Sequence, residues 1–132
     1  MKLAVLARSS PTLATRLAAR TARQKQKIQA LTERSAERAF VRVQELEPRD
    51  TNYMADHTRI EMREEGLAYL IGWRRGDFVG QTNPATGQEI TAFYPVFVTY
   101  GTRYMAGRDA LTPALQAERP ILRRAIARAL SA

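Results

Sequence analysis

The stretch TRIEMREEGLAYLIGW, residues 58–73, decides the fold of this chain. In its first half, Ile60 and Met62 alternate with charged residues, which is the period-two pattern of a half-buried strand. After Gly66, residues 67–73 are apolar on both faces, and this pattern favours a central strand. We therefore expect the two segments to pair antiparallel across a turn at Gly66.

A long segment free of glycine and proline precedes these strands, between Pro11 and Glu47. Its apolar residues recur mostly at helical steps, so it predicts one long helix that Pro48 ends. Residues 18–27 offer only alanines to a core. Packing is therefore expected to be thin there, and the helix is expected to need a neighbouring subunit.

Downstream of the strands, residues 76–89 are rich in turn-forming residues and predict a long loop of the kind that contacts other chains. Residues 90–93 are β-branched or aromatic in part and are expected to extend the sheet. Pro95 is placed to begin a short helix that Gly101 terminates.

The C-terminal part predicts a second amphipathic helix, with Thr112 as the N-cap and Pro113 at the first helical position. Pro120 is expected to kink or split it. The 132 residues thus form one α+β domain: a basic long helix within 1–47, a small and mostly antiparallel sheet with its loop within 48–106, and a C-terminal helix within 107–132 packed on the sheet.

Charge is distributed unevenly along the chain, whose formal net charge is +8. The first 32 residues carry no acid and seven basic residues: Lys2, Arg8, Arg16, Arg20, Arg23, Lys25 and Lys27. Residues 103–132 are also basic, whereas residues 33–102 carry more acids than bases. Such ends suit acidic neighbouring proteins or the DNA backbone. The candidate basic contact surface on the long helix is Arg16, Arg20, Arg23, Lys25 and Lys27.

The sequence offers little for catalysis or for a cofactor. Cysteine is absent, which removes disulfides, thiolate metal sites and thiol nucleophiles. His57 is the single histidine and is interpreted as a solvated loop residue, because a metal or acid–base site needs several convergent groups. Residues 80–87 lack the Lys-Ser or Lys-Thr of a phosphate-binding loop. We expect no enzyme, no metal and no cofactor.

The apolar runs are also short. The apolar run at residues 3–7 is shorter than the core of a signal peptide, and the other apolar runs are too short to cross a bilayer. We expect a soluble protein with no membrane partner.

The stretch YPVFVTYGTRYM, residues 94–105, followed by LTPAL, residues 111–115, resembles the signature of the tailed-bacteriophage neck and tail-completion proteins, which include the lambda tail-completion type. The matching positions are Tyr94, Phe97, Val98, Tyr100, Gly101, Thr102, Met105, Leu111, Pro113, Ala114 and Leu115. Residues 49–51 also look like the family's Asp-Thr-Gly entry to its first strand. Two positions depart from the pattern: Thr99 stands where the family often has Glu, and Asn52 stands where it has Gly.

This resemblance implies a structural virion protein of the neck, assembled in the host cytoplasm. It implies a homo-oligomeric ring, a hexamer or dodecamer, that lies between connector and tail proteins while DNA passes through the lumen. The signature residues implied at subunit interfaces are Tyr94, Phe97, Tyr100, Gly101, Thr102, Met105 and Pro113. The loop 76–89 is a candidate arm between subunits, and its deletion is expected to leave the monomer folded but to block head–tail joining.

Two alternatives remain open. The first is a tail terminator ring, which the order of assembly would separate: a protein found on free tails is a terminator or tail-completion factor, whereas one found on filled heads without tails belongs to the connector. A small basic nucleic-acid-binding module, suggested by the pI near 10.6 and the Arg-rich helix, differs in binding DNA tightly as a monomer with a steep salt dependence.

Overall fold

Strand β3 (Ala68–Trp73) is the centre of the sheet. In a computed structural model that describes residues 5–8, 22–47, 52–84 and 86–131, β3 lies between β1 (Val5–Arg8) and β2 (Arg59–Arg63). Both pairings are antiparallel. Every residue of β3 is buried, as expected of an apolar strand with neighbours on both sides. The predicted pairing of the two strands and the central place of the second are confirmed.

Strand β1 was not predicted, and it lies within the segment 1–47, ahead of the predicted long helix. Its residues pair with the second half of β3, Val5 opposite Trp73 and Arg8 opposite Leu70. Four residues are too few to show a periodicity, and their partner strand is far away in the sequence, so the pattern gave no signal for this strand. Arg16 and Arg20 lie outside the described residues.

Two long helices pack together on the sheet. The helices, in chain order, are α1 (Ala22–Leu46), α2 (Tyr53–Asp56), α3 (Pro95–Tyr100) and α4 (Leu111–Ser131). One stripe of α1, from Ile28 to Val43, is buried against α4 and β3, while α4 also contacts β1. The α+β layout with a long N-terminal helix and a C-terminal helix packed on a small antiparallel sheet is confirmed. None of the helices in the described part of the chain is both long and apolar enough to cross a membrane.

The turn between β2 and β3 is fixed by α1. Glu64, Glu65 and Gly66 have consecutive positive φ values of 51°, 58° and 84°, a conformation that only glycine adopts without strain. The Gln29 amide donates a hydrogen bond of 2.5 Å to the carbonyl oxygen of Glu65, and Lys25 forms an ion pair with the Glu65 carboxylate. The helix therefore supports a turn that is intrinsically unfavourable.

Glu118 is a fully buried acid that joins three elements. The Arg38 guanidinium of α1 donates two hydrogen bonds to its carboxylate, from Nε at 2.9 Å and from Nη2 at 3.1 Å. Ser35 Oγ donates a third at 3.1 Å, and the Tyr69 hydroxyl of β3 lies 3.1 Å from Ser35 Oγ. Because the serine proton goes to the carboxylate, the tyrosine donates to the serine. Hydrogen bonding to Glu118 raises the pKa of Arg38.

A second buried polar cluster joins β3 to the end of α1. The indole Nε1 of Trp73 donates to the carbonyl oxygen of Met54 and to Thr58 Oγ1, both at 3.0 Å. Thr58 Oγ1 in turn donates to the Glu47 carboxylate at 2.7 Å. This cluster satisfies the indole N–H of a fully buried tryptophan.

Residues 90–93 do not extend the sheet, which corrects a prediction. The backbone of Ile90 pairs instead with residues 80 and 81 of its own loop, and the only ladder contact there is a bridge between Thr82 and Glu89. The loop 76–89 is also less separable than expected, because its Phe78 is fully buried in the core. Deleting the whole loop would remove that core residue, so the expectation that the monomer stays folded is corrected.

The start of α4 and its proline also differ from expectation. Asp109 Oδ1 accepts hydrogen bonds from the backbone N–H groups of Leu111 at 2.9 Å and Thr112 at 3.1 Å, so the capping residue is Asp109, not Thr112. Pro120 lies inside an uninterrupted helix and does not split it. Its ring is exposed, and the helix can tolerate a missing hydrogen bond on the face that water reaches.

The two partners of the buried ion pair predict unequal effects on stability. Arg38→Ala removes two hydrogen bonds from a buried carboxylate, which then keeps only Ser35 and the longer contact with Arg42 at 3.5 Å, and it should lower the free energy of unfolding by about 3 kcal/mol. Glu118→Gln leaves behind an arginine whose side chain is 44% exposed, so it should cost only about 1 to 2 kcal/mol. Urea unfolding of both, with the exposed Arg34→Ala as control, measures the difference. Equal losses for the two variants would contradict the assignment of Glu118 as the desolvated partner.

Candidate interaction surface

Helix α3 begins and ends at the residues that the sequence singled out. Pro95 occupies its first position, where an N–H is not needed, and Gly101 follows its last residue with a φ of 83°. Tyr94 precedes the helix, and its ring packs edge-on against Phe78 with centroids 5.1 Å apart. Burial raises the pKa of Tyr94 to about 12. The predicted short helix is confirmed, with Tyr94 as its anchor in the core.

Phe78 is the hub of the aromatic cluster beneath α3. Besides Tyr94, it packs edge-on against the rings of Tyr53 and Phe93, with centroid-to-centroid distances of 5.3 Å and 5.5 Å. His57 stacks on Tyr53 with centroids 4.0 Å apart, and its Nδ1 lies 2.7 Å from the Tyr53 carbonyl oxygen. His57 is therefore packed against this cluster rather than solvated. Among the residues that the structure describes, no three His, Asp or Glu side chains are placed to hold a metal ion.

A short hairpin projects directly from the end of α3. Strands β4 (Gly101–Thr102) and β5 (Met105–Ala106) pair antiparallel, and the Arg108 N–H donates to the Val98 carbonyl oxygen at 2.7 Å. The base of the hairpin is very narrow. A Cβ atom built on Gly101 lies 2.5 Å from the Gly107 nitrogen, and one built on Gly107 lies 2.7 Å from the Thr99 oxygen. Only glycine fits at either position.

Four large side chains on α3 and this hairpin face solvent. Phe97 and Tyr100, three residues apart on α3, are 46% and 69% exposed. Tyr104 and Met105 on the hairpin are 87% and 50% exposed. We call these four side chains the aromatic patch. Its charge is positive, because Arg103 lies over the Tyr104 ring, 5.2 Å from its centroid, and Arg108 follows the hairpin.

The signature residues therefore divide into two groups. Tyr94 and Gly101 shape the corner, whereas Phe97, Tyr100 and Met105 extend from it into solvent. Thr102 and Pro113 are also exposed, on the hairpin and in the first turn of α4.

Thr99 lies on the inner side of the same helix. It is buried, and its hydroxyl has no hydrogen-bond partner among the described residues. A buried hydroxyl without a partner carries an uncompensated desolvation cost, so it disfavours the folded corner.

The basic surface expected on the long helix is only partly free. Arg23 and Lys27 of α1 are exposed, but Lys25 is held in the ion pair with Glu65.

Sequence reasoning missed Gly107 and Asp109, although both carry recognisable signals. Gly101 and Gly107 flank a five-residue segment with turn character, which is the spacing of a short hairpin closed at its base. Asp109 precedes the apolar periodicity of α4 by two residues and is a preferred N-cap residue.

The comparisons with known proteins leave the chain without an assigned relative. No family model, curated protein or solved structure matches it. Its function is therefore inferred from the geometry described above together with the sequence resemblance.

The narrow base of the hairpin predicts a strong effect of a single methyl group. Gly101→Ala should destabilise by more than the roughly 1 kcal/mol that a positive φ alone costs, because its Cβ collides with backbone atoms. Gly87→Ala is a matched control, since Gly87 also has a positive φ, 71°, but has open space around it. Urea unfolding, combined with the rate of tryptic cleavage after Arg103, measures both. A similar loss in the two variants would show that the base is not closed as described.

The half-buried Tyr94 predicts a loss of stability at alkaline pH. Its pKa is raised from 10.0 to about 12 in the folded protein, so the unfolded chain loses the phenolic proton first. The free energy of unfolding should therefore fall as the pH rises from 10 to 12. Tyr94→Phe should reduce that fall in urea unfolding across this range, whereas the surface variant Tyr104→Phe should leave it unchanged. An alkaline slope that is the same in both variants contradicts the prediction.

Proposed function

We propose that this chain is a structural subunit of a tailed-bacteriophage neck, a head–tail connector or tail-completion protein, whose copies form a ring between head and tail. The observation that carries the proposal is the aromatic patch, held in solvent by a hairpin whose base is closed by two glycines. The proposal places the protein in the virion, with DNA passing through the ring. It assigns no chemical reaction to the chain.

The patch has the composition of a protein–protein contact. Aromatic side chains and methionine are enriched at the centres of interfaces, where each aromatic ring buries on the order of 150 Å² or more. Soluble monomers rarely expose several such side chains together without a partner. The patch also coincides with positions Phe97, Tyr100 and Met105 of the resemblance, which supports their assignment to subunit contacts.

Asn52 provides independent support for the resemblance. It has a φ of 61° and a ψ of −1°, the left-handed conformation, immediately before α2. The phage family has glycine at the corresponding position, and asparagine is the residue that replaces glycine there with the least strain. The substitution therefore preserves the turn.

A second copy of this chain offers a surface that fits the basic aromatic patch. On the solvent face of α1, Glu33, Glu37, Val41 and Glu45 follow one another at four-residue spacing and are all exposed, Val41 to 53%. We call this line the acidic ridge. It presents negative charge around an apolar centre, opposite to the positive charge around the aromatic patch. Contact between two different surfaces of identical subunits is heterologous, and such contacts form a ring when the rotation between subunits closes and an open filament when it does not.

A tail terminator ring would use the same kind of contact and is separated by the order of assembly. The protein should copurify with filled heads that lack tails if it is a connector, and with free tails if it is a terminator. Electron microscopy of particles accumulated by mutants blocked at either stage distinguishes the two.

The proposed contact predicts loss of assembly without loss of folding. Tyr100→Ser/Tyr104→Ser should turn rings into monomers in sedimentation velocity and negative-stain images while leaving the urea midpoint nearly unchanged, because both side chains are outside the core. Met62→Ser removes an exposed apolar side chain from β2 and is the matched control that should still form rings. A wild-type chain that stays monomeric at high concentration argues against the proposal.

Charge exchange tests the pairing of the two surfaces. Arg103→Glu and Glu37→Arg should each weaken assembly, and the double variant should recover it, because the attraction is restored with reversed signs. Absence of recovery would place the contact elsewhere.

A further inference from the structure

The outer face of α4 concentrates positive charge without any acid. Arg119, Arg123, Arg124 and Arg128 are all exposed. The single acid of the helix, Glu118, is fully buried on the opposite, inward side. At a rise of 1.5 Å per residue, the four guanidinium groups are spread over about 14 Å of helix length. They occupy the solvent-facing half of the helix and leave only uncharged residues between them.

Five cations elsewhere in the described part of the chain are held in ion pairs. Lys25 pairs with Glu65, Arg38 and Arg42 pair with Glu118, Arg59 pairs with Asp77, and Arg63 pairs with Glu61. Within the described part of the chain, none of the four arginines of α4 takes part in an ion pair. The face is therefore a set of free guanidinium groups.

Helix stability accounts for only one of these residues. Arg128 lies in the last turn of α4, where a cation interacts favourably with the helix dipole. Arg119, Arg123 and Arg124 are in the middle of the helix, where the dipole gives no such benefit. At about 100° per residue, the four arginines spread over roughly half of the helix circumference, with Arg119 and Arg123 towards one side and Arg124 and Arg128 towards the other. Like charges this close repel each other, and the repulsion is relieved when a polyanion binds.

We propose that this outer face of α4 binds the phosphate backbone of double-stranded DNA without reading its sequence. Guanidinium groups suit phosphate oxygens because their planar donors can bind two oxygens at once. The helix contains no aromatic side chain on which the bases of a single strand could stack, and this favours a duplex as the ligand. Within the proposed neck function, which this inference extends, α4 is the element that contacts the genome.

The assignment differs from the basic surface expected on the long helix. There Lys25 is already paired, and the acidic ridge follows on the same helix. On α4 the positive charge is uninterrupted by acids, so a phosphate backbone meets no repulsive group along the face.

The test is fluorescence anisotropy of a labelled mixed-sequence duplex with the full chain, from about 50 to about 200 mM KCl. The variant is Arg119→Gln/Arg123→Gln/Arg124→Gln/Arg128→Gln. The matched control, Arg23→Gln/Lys27→Gln/Arg34→Gln/Arg75→Gln, removes the same charge from exposed positions elsewhere. Urea unfolding checks that both remain folded, and the single variants Arg123→Gln and Arg124→Gln replace the quadruple variant if it does not.

We expect the wild type to bind DNA with a steep salt dependence. The α4 variant should lose about 3 to 4 units of the slope of log K against log salt, and each single variant should lose about 1 unit, because one phosphate contact contributes about 0.9. The control should keep most of the slope. Equal losses in the α4 variant and the control would overturn the inference, since net charge alone would then explain binding. Binding to anionic phosphatidylserine vesicles, with no binding to the duplex, would overturn it in favour of a membrane surface.

Ring assembly of the same samples separates this inference from the proposed function. Rings that form normally in the α4 variant while DNA binding is lost support both. If the wild type forms rings but the α4 variant binds DNA as well as the control does, the inference is overturned and the neck function stands. If DNA binding depends on α4 but the chain never forms rings, the inference stands and the neck function is overturned.

Discussion

The carboxylate of Glu118 is the constraint on which the rest of the structure depends. A charge removed from water costs several kcal/mol unless it is neutralised and hydrogen-bonded, and a small domain has a total stability of only about 5 to 15 kcal/mol. Arg38 and Ser35 of α1 meet this requirement, and Tyr69 extends the chain of donors to the central strand. These hydrogen bonds form only when the two long helices and β3 stand in the observed relative position, so they favour that arrangement. An apolar contact of the same area would not specify that position, because it lacks direction.

From this fixed point the core extends towards the functional corner. Trp73, at the end of β3, is tied through Thr58 to the end of α1, and Phe78 continues the core as the hub of an aromatic cluster that holds Tyr94. The core ends there. Beyond Tyr94 the large side chains face water, so the corner has a rigid inner side and an exposed outer side. A surface of this kind can bind a protein at little cost in entropy, because its backbone is already ordered.

The sequence predicted the elements whose signals are local. The strand at residues 59–63, the apolar run of β3 and the Pro95 to Gly101 spacing each depend on a few adjacent residues, and each of these elements was confirmed. The predicted alternation of burial along 59–63 was wrong in part, because Met62 is 39% exposed whereas Glu61 is half-buried. Features that depend on distant partners were not predicted. Strand β1 pairs with the edge of β3 that β2 leaves open, and the backbone of Ile90 pairs with residues 80 and 81 of its own loop instead of with the sheet. The burial of Glu118 also gave no signal, because a glutamate among arginines on a helix usually lies on the surface. For the candidate surface, the sequence named these residues as one group, and only the structure separates the half-buried Tyr94 from the exposed Phe97 and Tyr100.

The two glycines that close the hairpin also separate residues that the fold constrains from residues that it does not. The residues between them contact solvent and not the core, so an exchange at Thr102, Arg103 or Tyr104 changes the surface of the molecule without changing whether it folds. Sequence variation can therefore accumulate in this five-residue tip independently of the scaffold. The same arrangement makes that tip a natural place for grafting foreign recognition peptides onto the domain.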